Sequence, residues 1–487
     1  MATNRETSKD LREYLNVLEA AGELQRIKKE VDWKLEAGAI SRLACERRAP
    51  APMFENIKGY PGQRMAAVLL GPAKPLHSRL ALGLGLEDKA MPPLEIIDYV
   101  CRRFRNPRPP VNVSPREAPC KEVIIPGKEV NLLNFPIPWI KSIDGGRYIG
   151  TWDIIITRDP DTGWTNWAIY RCMVEDERHF TILLLPARQH GGRMFAKYEA
   201  MNKPMPVALV IGAHPICHLA AMTPFDNGVA EVDMAGGLLG AGVPLVKCET
   251  IDLEVPANAE MVIEAEVMPG ERVDEGPFGE YTGHSAHRGK APHAIVKCIT
   301  HRREPIHTMA NMGKPYDDYA VAQGVLFGAV IKNRLESQDL PIKAAYFHSP
   351  GTVPIISLKP RAGLIKRIVA ALMSGQRLLP VGVVFVDEDV DVTNLTDVWW
   401  ALSTRMHPRS YEITDGMSAN TLIPWLTPEE RVRLEAPFFV INATLPYWWS
   451  REYREDHTTI ADFEHGWTGD IQQAVLKNWS AYGYRDE

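Results

Sequence analysis

The sequence lacks the features that announce most function classes. Its seven cysteines, Cys45, Cys101, Cys120, Cys172, Cys217, Cys248 and Cys298, are scattered, odd in number and form no CxxC pair. That excludes a zinc knuckle or a disulfide frame and fits reduced core thiols. No stretch approaches the ~18 apolar residues of a membrane span, and the opening MATNRETSKDLREYL holds no apolar signal core. A cytoplasmic protein without a membrane partner is the expectation. Lys and Arg number 55 against 61 Asp and Glu, a net charge of −6, which argues against nucleic acid, whose phosphates demand cationic neutralisation. There is no GxSxG and no cysteine in a nucleophile context. The glycines from Gly236 to Gly242 run in the wrong order for a dinucleotide fingerprint, with no acidic ribose partner ~20 residues on. Asp387 to Asp391 resembles a calcium loop but has Val392 where glycine is required; the acidic end of a strand leading into a helix explains it better.

What remains is an ordinary globular chain, 45% hydrophobic and 24% charged over 487 residues, long enough for roughly three domains at ~150 residues each. The first helix is signalled by Thr7 and Asp10 as a capping pair, Leu11, Tyr14, Leu15 and Leu18 on one face, and Gly22 as its stop. Asn106-Pro107-Arg108-Pro109-Pro110 breaks regular structure and marks a domain boundary. Strand patterns follow at 148–157, 164–173, 180–185, 206–211, 245–253, 260–268 and 293–300, a density that suggests a barrel or closed sheet. After Pro315 helices alternate with short apolar strands, among them 353–358, 364–373 and 381–386, as in an α/β domain. A closing helix from Asp470 to about Tyr482 should pack on the body or on a neighbouring subunit.

The most informative stretch is Asp274-Glu275-Gly276-Pro277-Phe278-Gly279-Glu280, followed by Tyr281-Thr282-Gly283-His284. Pro277 fixes φ and the glycines permit a sharp bend, so Glu275 and Glu280 can face one site. Two converging carboxylates push their pKa values apart, leaving one protonated as a general acid. A surface turn with two solvated acids is the plain alternative. Arg171, His190 and Glu231 are each ordinary alone, as a surface salt bridge, a turn histidine and a loop acid. Together, Asn166, His190 and Glu231 offer O, N and O ligands suited to Mn²⁺, Mg²⁺ or a similar ion able to bind a phosphate. A regular strand would point Asn166 and Arg171 to opposite faces, so either the strand bends or the metal and reacting ends of a ligand lie on different sides of it.

In order along the chain, Asn166-Trp167-Ala168-Ile169-Tyr170-Arg171, Gln189-His190-Gly191-Gly192, the run from Glu231 to Gly240, the run from Val246 to Glu264, the acidic turn, and Val386 to Val392 with Asp397 to Met406 resemble the UbiD family of prenylated-flavin-dependent decarboxylases. The resemblance covers essentially the whole chain. It implies a mixed α+β and α/β fold in three parts: an N-terminal α/β domain (1–115), a central split β-barrel holding prenylated FMN (116–312) and a C-terminal α/β domain (313–487) that makes a homodimer or homohexamer. It implies reversible, non-oxidative loss of CO₂ from an aromatic or α,β-unsaturated acid, with the flavin as the electron sink that side chains cannot supply.

By the same resemblance Arg171, Glu275 and Glu280 are the catalytic set. Arg171 holds the substrate carboxylate and keeps Glu275 charged, while Glu280, less compensated and more buried, protonates the carbon. Asn166, His190 and Glu231 hold the divalent metal that clamps the cofactor phosphate, with K⁺ close by; Ala168, Gln189, Thr223 and Pro224 line the flavin. A lysine that usually contacts the phosphate is replaced, by position, with Phe438. A separate flavin prenyltransferase must supply the cofactor. A hydroxybenzoate-like or heteroaromatic acid is the favoured substrate, with phenylacrylic or polyprenyl-hydroxybenzoate acids as alternatives. The rivals are a non-catalytic flavin- or metal-binding module and a metal-dependent hydrolase using Glu280 as base.

Overall fold

The computed structural model describes residues 8–185, 189–374 and 380–485. Asp10 caps the first helix, Leu11–Ala20, by accepting the Glu13 N–H at 2.9 Å, and the helix buries Leu11, Tyr14, Leu15 and Leu18. Thr7, the other half of the expected cap, lies outside the described residues. The helix leads into a four-stranded sheet of Leu24–Ile27, Ala51–Phe54, Arg64–Ala67 and Ile306–Met309. The last strand arrives from far along the chain, after the central sheet is complete, and pairs in parallel with Arg64–Ala67.

The central sheet has nine strands. Its path runs Tyr148–Gly150, Cys172–Val174, His179–Ile182, Gly289–His301, Met261–Glu275, Met205–Ile211, Asp153–Arg158 and Thr165–Ala168, and Val123–Pro126 pairs with Gly289–His301. Curled into a half-barrel, it separates two cores. Val207, Leu209 and Ile211 face one and Ala208 and Val210 the other, as a period-two strand buried on both sides requires.

Several expected strands come out differently, and the span 148–157 is two strands, Tyr148–Gly150 and Asp153–Arg158. The span 164–173 is two strands, because the chain leaves the ladder after Ala168 and rejoins it at Cys172. The strand expected to end at 268 runs on to Glu275 past an irregularity between Val267 and Arg272, where Gly270 takes φ +73°. The span 245–253 is a strand only over Pro244–Lys247.

The C-terminal sheet orders Ala344–Phe347, Pro354–Leu358, Gly382–Asp387, Glu435–Ala443 and Tyr411–Ser418, with the helices Asp318–Glu336, Leu364–Ser374 and Leu395–Arg405. Asp387 and Asp389 pair with Arg405 at 2.9 and 2.6 Å, so the acidic run tethers strand to helix. The glycine run has a packing role: a Cβ at Gly236 would stand 2.3 Å from the Arg108 carbonyl oxygen, so the helix Glu231–Leu239 can lie against 103–108 only without one. The closing helix, Gly469–Lys477, buries no residue in the protomer. Among the described residues no helix is long and apolar enough to cross a membrane.

Candidate active site

The gap between Ala168 and Cys172 answers the facing question left by the sequence. Asn166 belongs to a strand, and Arg171 lies beyond its end, free of the alternation that would have turned the two apart. Arg171 grips Glu275 with both arms of its guanidinium, Nε to Oε1 at 2.9 Å and Nη2 to Oε2 at 2.7 Å, and its third nitrogen, Nη1, donates to Glu280 Oε1. Such a fork suits a carboxylate in geometry as well as charge. Tyr148 donates from its hydroxyl to Glu275 Oε1 at 2.9 Å. Phe278, at the tip of the turn, has the Arg171 guanidinium 5.5 Å from its ring centre.

Burial pushes the Glu280 pKa above the ordinary carboxylate value, against the opposing charge and hydrogen bond of Arg171. Burial also works against the charged form of Arg171, but Glu280 and Glu275 outweigh it and hold its pKa above the usual arginine value. Glu280 is the less compensated acid, as expected, yet not the more buried one: Glu275 is 2% exposed and Glu280 7%. The asymmetry comes from partners. Glu275 takes a bidentate arginine and a tyrosine, while Glu280 takes one arginine nitrogen.

The turn is held from below by a loop the sequence did not single out. Asp144 accepts the backbone N–H of Gly279 at 2.9 Å and that of Lys141 at 2.9 Å, and Gly145 donates to the Pro277 carbonyl at 2.7 Å. A Cβ on Gly145 would lie 2.1 Å from the Gly276 oxygen, so this approach needs glycine. The neighbouring Gly145-Gly146 pair was the one sequence signal for it.

A cavity of about 1000 Å³ opens in front of Arg171, Glu275 and Glu280, and Ala168, Gln189, Thr223 and Pro224 share its wall. Its far side comes from the C-terminal part, with Tyr319, Gln323 and Phe327 on one helix, Phe347 on a strand, and Asn420 to Leu422 on a loop. Asn420 donates to the Tyr281 hydroxyl at 2.7 Å across that junction.

The other three sequence candidates meet just behind the wall. Asn166, His190 and Glu231 are essentially unexposed. His190 Nδ1 stands 3.1 Å from Asn166 Oδ1, and Glu231 Oε2 accepts the Trp167 N–H at 2.9 Å, beside Asn166. Two adjacent ligands on an octahedral ion ~2.1 Å away would be ~3.0 Å apart, so the Asn–His spacing fits a shared hard cation. Among the described residues no three His, Cys, Asp or Glu side chains gather closely enough to hold a metal by themselves, and the third oxygen or nitrogen donor in this cluster is the amide of Asn166. Phe438 is a buried core residue of the strand Glu435–Ala443 and brings no cation.

Family models described as the N-terminal, Rift-related and C-terminal domains of 3-octaprenyl-4-hydroxybenzoate carboxy-lyase match residues 15–100, 111–315 and 323–434. The chain belongs to the UbiD family. UbiD proteins are decarboxylases, and this one is accordingly a carboxy-lyase. It is 31% identical to the pyrrole-2-carboxylic acid decarboxylase of Pseudomonas aeruginosa, over 98% of this chain and 99% of that one. It is 32% identical to ferulic acid decarboxylase 1 of Saccharomyces cerevisiae, over 98% of both. Among solved UbiD-type structures, the closed form of the Sedimentibacter hydroxybenzoicus vanillic acid decarboxylase superposes with a TM-score of 0.87 at 31% identity, over 97% and 99% of the two chains. An evolved dimeric form of the UbiD-class enzyme HmfF from Pelotomaculum thermopropionicum, in complex with prFMN, does so at 0.77 and 32%, over 91% and 96%. The mixed α+β fold with its half-barrel is that of these enzymes.

Proposed function

We propose that the protein is a reversible, non-oxidative decarboxylase of small mono- or bicyclic aromatic or heteroaromatic acids, working with prenylated FMN and a divalent cation. The observation that carries this reading is Arg171 joining two unequal carboxylates on the wall of one cavity.

The residues divide the work. Arg171 receives the substrate carboxylate. Ala168, Gln189, Thr223 and Pro224 would line prenylated FMN, which would supply the electron sink for the bond that breaks. The C–C bond to the carboxylate opens, CO₂ leaves, and the electron pair of that bond ends in the new C–H bond at the ring carbon. Glu280 gives its proton to that carbon, and Glu275, hydrogen-bonded by Arg171 and Tyr148, keeps the guanidinium in place. Run backwards, Glu280 is the base and the reaction is carboxylation. Asn166, His190 and Glu231 would hold Mn²⁺ or Mg²⁺ against the cofactor phosphate, with K⁺ nearby.

The reading implies partners. The fourth ring of a prenylated flavin has to be made by a prenyl-transfer reaction, so a separate flavin prenyltransferase supplies the cofactor to this enzyme in the cytoplasm. The exposed side chains of Trp399, Ile413, Trp467 and Leu476 in the C-terminal part support self-association there, as a homodimer or a homohexamer built from such dimers.

The test is a panel of aromatic acids assayed for CO₂ release and H/D exchange, using protein co-expressed with a flavin prenyltransferase and handled under low oxygen. Activity on at least one ring acid, absent from protein made without the prenyltransferase, is expected. Full activity with unmodified FMN or no flavin would overturn the proposal and favour a metal-dependent hydrolase.

A further inference from the structure

A second cation is built into the acidic turn. The Lys141 ammonium sits 5.4 Å from the Phe278 ring centre and donates to the Gly279 carbonyl at 3.5 Å, one residue from Glu280. A Cβ on Gly279 would meet the last three atoms of this side chain at 2.8 to 3.1 Å, so the lysine lies along the backbone of the turn. Asp144 ties the two segments together by accepting the N–H groups of both Lys141 and Gly279. Lys141 makes no ion pair at contact distance among the described residues; its ammonium contacts the Gly279 carbonyl and the Phe278 ring.

The groups around it are few. Arg171 and Glu275 face Glu280 together with Lys141. Lys141 itself is faced by Asp144 from its own loop, by Asp317 and Arg42 from the flanking helical segments, and by Glu280. Burial lowers the lysine pKa, which these carboxylates oppose.

We propose that Lys141 is a positioning residue for proton transfer: its ammonium, held on the Phe278–Gly279 turn, favours the carboxylate form of Glu280 and so sets the pH above which Glu280 stops supplying protons. This rests on Glu280 being the acid. A cation nearby stabilises an ionised carboxylate, so its removal makes the acid hold its proton to higher pH.

The experiment is kcat against pH for the cofactor-loaded enzyme and for its Lys141→Met, Lys141→Arg and Glu280→Gln variants. The alkaline limb of Lys141→Met should move up by about one pH unit, the size of a partly screened charge pair, and Lys141→Arg should keep the original limb. If Lys141→Met does not fold, Lys141→Gln is read the same way. An unmoved limb, or a loss uniform across pH with a lower melting temperature, would overturn the proposal and leave Lys141 a packing residue. Full activity in Glu280→Gln would instead take down the reading of Glu280, and the lysine's role with it.

Discussion

Two polar clusters lie at either end of the segment from Asn166 to Arg171, and they are built on opposite principles. Arg171, Glu275 and Glu280 sit on the cavity wall and carry charges that answer one another. Asn166, His190 and Glu231 are buried behind that wall, with Asn166 and His190 at ligand spacing and Glu231 holding the backbone beside Asn166. The first arrangement suits proton exchange with something in the cavity, the second suits anchoring. The break in the strand after Ala168 lets a few residues of chain serve both.

The largest expected effect sharpens that division. Glu280→Gln should lower kcat by roughly 10² to 10⁴-fold, the usual worth of a general acid, while flavin content measured by absorbance stays normal. Retention of more than about a tenth of wild-type kcat would move the acid role elsewhere. The sign of the pH dependence follows from the same residue. Because burial raises the Glu280 pKa above its ordinary value of 4.5, the proton-bearing form persists to higher pH than in a free glutamate. Decarboxylation should fall as pH rises through that pKa, and a rate climbing over the same range would assign the limb to another group.

On the other side of the comparison, His190→Ala or Glu231→Ala should release metal and flavin together. Loss of an outer partner of a metal ligand already costs ~10 to 100-fold in affinity, so loss of a ligand should cost at least that. Elemental analysis and absorbance read it, and normal content in both variants would place the clamp elsewhere.

Gly145→Ala breaks the platform under the first cluster. Its methyl meets the Gly276 carbonyl, and overpacking of this kind costs about 1 to 3 kcal/mol, visible as a lower melting temperature with a fall in kcat. The smallest change is Tyr148→Phe, which removes one hydrogen bond from a Glu275 still held at two points. About 1 kcal/mol, a factor of about five in kcat, is expected, and an unchanged rate would show that Arg171 alone fixes Glu275.

The legible parts of the chain were those whose cause is local. The first helix followed from Asp10 and an apolar stripe four residues deep, the acidic turn from its proline and glycines, and the strand Met205–Ile211 from alternation alone. Glu275 and Glu280 could be paired from sequence because they are near neighbours, whereas Asp144, Gly145, Lys141 and Tyr148 reach the same turn from more than a hundred residues away. The break after Ala168 carries no glycine or proline to announce it, and the extension to Glu275 passes through Pro269 and Gly270, which read as a stop.

That wall has its own logic. Tyr319, Gln323 and Phe327 recur every four residues on the helix Asp318–Glu336 and present one face to the cavity, while the groups assigned to the proton and the cofactor come from the strands, turns and helices between Asn166 and Glu280. Innovation and chemistry are thereby held on separate scaffolds. A lineage, or a protein engineer, can exchange three side chains along one helical stripe to recruit a differently shaped acid, and the inherited proton relay need not be reinvented.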